Sequence, residues 1–135
     1  MTGVEIVGTL LTQHAPLLAK VPTVRIMADM LPENVPLPAL LVSSIDTIER
    51  VNLSRGDKVR LTERVRVTVR AKTGEDCRTI IKLVRDCCAG WTGNMPGAER
   101  IAITNGGTGP SIAYTGPVFE QAQDFRVSFE ETISG

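Results

Sequence analysis

A chain of 135 residues with 42% apolar side chains is long enough to bury about two-thirds of its unfolded surface in one core without disulfides or metal, so a single domain over residues 1–135 is expected. Fifteen Lys and Arg balance fifteen Asp and Glu, which argues against a protein that holds nucleic acid mainly by neutralising phosphates; the aromatic residues Trp91, Tyr114, Phe119, Phe125 and Phe129 are too few and scattered for a base-stacking platform. The opening MTGVEIVGTLLTQHAP shows neither a cationic leader nor a membrane-spanning apolar run, and Cys77, Cys87 and Cys88 fit free thiols in a reducing compartment; a soluble protein folding in a cytoplasm, with no membrane partner, is expected.

Val4, Val7, Leu10, Leu11 and His14 recur at helical spacing and predict an amphipathic helix over 3–14, weakened by Gly8. Pro16 cannot continue that helix and predicts a separate short turn through Lys20. VPTVRIM (21–27) reads as a short strand. MLPENVPLP (30–38) holds three prolines in nine residues, which makes it an extended connection or a sheet edge. Two long β segments follow, 39–51 and 59–72, and the turn-rich NLSRGDK between them closes a hairpin. Each spans about 40 Å at the usual rise per residue, against a radius of gyration of about 14 Å for a compact chain of this length. The hairpin tip is therefore expected to project and to meet a partner through Asn52, Arg55, Asp57 and Lys58.

In TGEDCRTIIKLVRDCCAG (73–90) Thr73 stands as N-cap with Asp76 three residues later, and Gly90 marks the stop. The apolar stripe is Cys77, Ile80, Ile81, Val84 and Cys88, with Arg78, Lys82 and Arg85 facing water. WTGNMPG (91–97) reads as a loop, 98–104 as a strand, and NGGTGPSIAYTGP (105–117) as a glycine-rich loop. The last strand, 119–131, alternates Phe125, Val127 and Phe129 on one face with Asp124, Arg126, Ser128 and Glu130 on the other. The order helix, three strands, helix, two strands predicts an α+β fold: a largely antiparallel sheet, two main helices on one face and a long projecting β-hairpin.

No catalytic set emerges. His14 has no second ligand or base at useful spacing, and the three cysteines have no adjacent base and read as buried hydrophobes. A thiol enzyme using Cys87 or Cys88 is the remote alternative. NGGTGP lacks the Gly-Lys-Ser/Thr ending of a phosphate-binding loop, and Arg55-Gly56-Asp57 is turn chemistry at the hairpin tip. No cofactor or metal site is expected. The one conspicuous charge pattern is RVRVTVRAK (64–72). Alternation turns Val65, Val67, Val69 and Ala71 to the core and Arg64, Arg66, Thr68, Arg70 and Lys72 to the opposite face. Asp124 and Glu130 of the last strand, and Glu63 at the start of the strip, are the acids expected to offset those cations. A small nucleic-acid-binding domain using this strip is the competing reading.

Taken in order, the broken N-terminal helix before VPTVRIM, the Pro-rich lead LPENVPLPALLVSSI, the valine-alternating RLTERVRVTVRAK, the helix TGEDCRTIIKLVRDCCAGW and the closing QDFRVSFEE resemble the tail completion or tail terminator proteins of long-tailed bacteriophages and related tail-like particles. The resemblance covers nearly the whole chain. It implies a virion protein without catalysis: a hexameric ring that caps the tail tube at its head-proximal end, stops tube polymerisation and docks a head-side connector or stopper, with phage DNA passing through unbound. A head–tail joining protein of the same particle is the nearest alternative. A closed ring needs two different patches per subunit, and Arg64, Arg66, Arg70, Asp124, Arg126 and Glu130 are the expected subunit-interface residues.

Overall fold

The computed structural model describes residues 2–32, 34–50, 58–110, 112–113 and 118–132. The tip residues Asn52, Arg55 and Asp57 lie outside these, and for Lys58 only the backbone is described.

Thr2 caps the first helix, α1 (Gly3–Leu11), by accepting the Glu5 N–H, and Ile6, Val7, Leu10 and Leu11 form its buried side. The helix ends short of the expected residue 14. The Thr12 hydroxyl donates to the Thr9 carbonyl as well as to that of Gly8, and the Gln13 and His14 N–H groups bond to the Leu10 and Leu11 carbonyls, so the last acceptors are satisfied by a tightened turn, and Pro16 lies in a separate turn, α2 (Ala15–Leu18). His14 is thus not on the apolar face of α1; it is the half-buried N-cap residue of α2. The expected strand 21–27 is also shorter. Arg25 N–H bonds back to the Pro22 carbonyl, winding Thr23–Arg25 into one 3-10 turn, and only Ile26–Ala28 (β1) is extended.

The two long strands are β2 (Ala39–Arg50) and β3 (Lys58–Ala71), antiparallel, with a bulge between Ser44 and Asp46. The helix α3 (Gly74–Cys88) forms as its spacing predicts: the Thr73 hydroxyl accepts the Asp76 N–H at 3.0 Å, and Cys77, Ile80, Ile81, Val84 and Cys88 are its buried residues. Gly90, at φ 81, follows it. The expected loop 91–97 contains a strand instead. β4 (Thr92–Met95) turns at Gly97, φ 90, into β5 (Ala98–Thr108), so its extended form comes from its partner. β5 runs on through Asn105-Gly106-Gly107-Thr108, expected as loop, because these residues bulge along the last strand, β7 (Phe119–Thr132). A two-residue strand, β6 (Ile112–Ala113), also lies beside β7.

The sheet order is β1-β2-β3-β7-β5-β4, with β6 off this path against β7. Every neighbouring pair is antiparallel except β1 and β2. β3 and β7 pair from Lys58↔Thr132 to Ala71↔Phe119, so the long hairpin is backed by a third long strand. α1 and α3 pack together on one face of this sheet. Between them and the strands lie Val65, Val67, Val69, Phe125, Val127, Phe129, Ile101 and Ile103, each at most 1% exposed. Burial of each such side chain contributes about 1.5–3 kcal/mol. The fold is the expected α+β one, and it leaves the second face of the sheet uncovered by either helix.

Candidate functional site

The uncovered face is built by the same alternation that fills the core. With Val65, Val67 and Val69 turned inward, Arg64, Arg66, Thr68 and Arg70 turn outward, and β7 answers with Glu120, Asp124, Arg126, Ser128 and Glu130. Asp124 is the centre of the group. Its carboxylate accepts Arg64 Nε at 2.8 Å and lies 2.7 Å from Arg64 Nη2. It also accepts Arg66 Nε at 2.8 Å and Arg66 Nη2 at 3.1 Å. Burial opposes the charge on Asp124, but the hydrogen bonds from Arg66 and Arg64 prevail and hold its carboxyl below the ordinary carboxylate range. In return, the hydrogen bond to Asp124 pushes Arg66 upward.

Of the six residues expected at a subunit interface, Arg64, Arg66 and Asp124 are thus brought together. Arg70 donates from Nε to Glu120 at 2.7 Å, a partner missed because Glu120 sits where the expected strand emerges from a loop; it shares the parity of Asp124, which was the available signal. Glu130 does not meet the strip. Register sets it opposite Arg60, and its Oε1 lies 3.8 Å from Arg60 and 3.4 Å from Arg100. Arg126 is exposed beside Arg64 in register, and among the described residues it forms no ion pair. Glu63 is a correction: it shares the parity of Val65, so it points into the helix face, 5% exposed, where its Oε1 accepts the Gly3 N–H at the start of α1 at 2.9 Å.

A cavity of about 260 Å³ lies beside the pair Arg64 and Arg66, walled by Gly106, Gly107, Thr108 and Gly109. Two of these glycines are required by the backbone. A Cβ on Gly106 would meet the Asp124 main chain at 3.0 Å, and Gly107 has φ +113. The thiols lie elsewhere, in or against the core. Cys77 donates to the Phe119 carbonyl and Cys87 to the Leu10 carbonyl, each at 3.3 Å. Burial pushes the Cys77 thiol up; Cys88 is raised by its hydrogen bond with Cys87 and by burial. Cys77 and Cys88 therefore stay protonated and pack as small hydrophobes, whereas the hydrogen bond with Cys88 draws the half-buried Cys87 thiol down. Among the described residues no three His, Cys, Asp or Glu side chains cluster as a metal site, and no helix is long and apolar enough to cross a membrane.

No family model matches the sequence, and no curated protein matches it. The fold is similar to that of a chain in a solved structure described as "Virion of native gene transfer agent (GTA) particle": 17% of residues are identical, the TM-score is 0.64, and the match covers 92% of this chain and 91% of that chain. At that identity the likeness is one of fold.

Proposed function

We propose that this chain is a structural protein of a phage-like virion, located in the tail at its head-proximal end. There it forms a hexameric ring that caps the tail tube, halts addition of tube subunits and offers its other side to a head-side connector. The observation that carries this reading is the likeness in fold, over 92% of this chain, to a chain of a gene transfer agent virion, which agrees with the order of elements that resembles tail terminators. The role is mechanical, not catalytic.

The outer face of the sheet suits a ring through which DNA passes. Arg64, Arg66 and Arg70 are engaged by Asp124 and Glu120 of their own chain, and a cation already paired releases fewer counterions from a phosphate backbone and grips it less. The same pairing disfavours the alternative of a nucleic-acid-binding strip. Purified protein should run at six times its monomer mass in light scattering and should block elongation when added to growing tail tubes. A chain that stays monomeric at assembly concentrations and leaves tube growth unaltered overturns the proposal.

A further inference from the structure

β2 leaves most of one backbone edge open. β1 registers only against Leu40, Leu41 and Val42, so among the described residues no strand covers 43–50 on the side away from β3. Eight residues make an open ladder of about 27 Å. Exposed edges usually carry lysine, proline or an inward charge that discourages pairing. Here SSIDTIER has the bulge between Ser44 and Asp46 but no lysine or proline, and it presents Ile45 at 46% and Ile48 at 55% exposure.

The far side of the sheet ends in the same way. β4 registers against Ala98, Ile101 and Ala102, and the Trp91 and Gly90 main chain covers Ile103. Among the described residues no strand covers 104–108 on its outer side, and the small side chains of that stretch let another backbone approach closely. β2 and β7 run one way, β3 and β5 the other. Laying β5 of one copy beside β2 of the next therefore continues the antiparallel order.

Charge complementarity picks out this junction. One row crosses the uncovered face: Asp46, Arg64, Arg126, Thr104. Arg64 is held by Asp124, whereas Asp46 and Arg126 are exposed and form no ion pair among the described residues. The row thus ends with an acid on one side and carries a free cation one strand in from the other. In a head-to-tail repeat the next Asp46 would stand two strand spacings from Arg126, about 10 Å, the same separation as its own Asp46 across β3, so that Arg126 would lie between two carboxylates.

Resting on the ring reading above, we propose that these two edges are the halves of the contact between successive copies: 43–46 of β2, which lie in the same rows of the sheet as 104–107 of β5, pair with 104–107 of β5 in the next copy, and Asp46 reaches Arg126 across the seam. Such a contact is heterologous and can close into a ring.

Native mass spectrometry over a concentration series tests it on the full chain, with Asp46→Arg, Arg126→Asp, the double exchange, and Ile45→Lys on the open edge. The substituted side chains are exposed, and circular dichroism checks that each variant folds. The wild type should form the ring. Each single exchange and Ile45→Lys should raise the concentration needed for it at least about tenfold, and the double exchange should recover most of that loss. A wild-type ring untouched by all four variants overturns this contact and leaves the ring standing. Weakened singles without recovery in the double overturn the Asp46–Arg126 pairing, and a wild type that never associates overturns contact and ring together.

Discussion

Replacing Asp124 with Asn keeps the side-chain shape and removes the charge that two arginines share. The Asp124 side chain is 6% exposed, while those of Arg64 and Arg66 are 44% and 42% exposed. Freed guanidinium groups can therefore turn to water, and the cost falls below the about 3–5 kcal/mol of breaking a fully buried pair. What remains is the loss of charge-assisted hydrogen bonds near the surface, about 1–2 kcal/mol. For a domain of this size that lowers Tm by about 3–8 °C. The pH dependence carries a definite sign. The folded carboxyl is held below its unfolded value, which is about 3.9. Its stabilisation is complete above the unfolded value and is lost as pH falls through the folded one. Urea unfolding of the wild type and Asp124→Asn between pH 7 and pH 2.5 should give a constant gap down to about pH 4, closing below it. A gap under about 0.5 kcal/mol at pH 7, the range of a neutral surface change, would refute the reasoning, as would a gap that persists undiminished at the acid end.

Gly106→Ala should cost about 1–3 kcal/mol, because the new methyl meets main chain that cannot swing aside; thermal melts check this, and combining it with Asp124→Asn should be less than additive. Glu63→Ala strips the acceptor from the Gly3 N–H and should cost about 1–2 kcal/mol. Amide exchange should then speed up in α1 more than in α3, and Glu63→Gln, which keeps a carbonyl acceptor, should do less harm. Arg100 has φ 51 and a side chain 77% exposed, so Arg100→Gly should relieve a left-handed backbone at the expense of a weak ion pair and gain about 0.5 kcal/mol. A lower melting temperature would count against that strain.

Local signals carried the parts of the fold that depend on local physics. Thr73, Asp76 and the 3.6-residue stripe fix α3 whatever it packs against, and the valine alternation of 64–71 fixes both faces of β3. Signals failed where a partner decides. TGNM (92–95) has no apolar alternation and is extended because β5 holds it, and NGGT (105–108) looks like loop until β7 is seen to run beside it through a bulge. The arginine group was legible for Arg64, Arg66 and Asp124. Register decided the rest: it sends Glu130 to Arg60 and gives Arg70 to Glu120, and strict parity takes Glu63 to the far side of the sheet. Neither open edge, at 43–50 or at 104–108, is visible without the topology.

Cryo-electron micrographs of the purified protein test the ring most directly. Class averages should show closed six-fold rings that also seat on the ends of tail tubes. Monomers alone, or open filaments that never close and never bind a tube end, would contradict it.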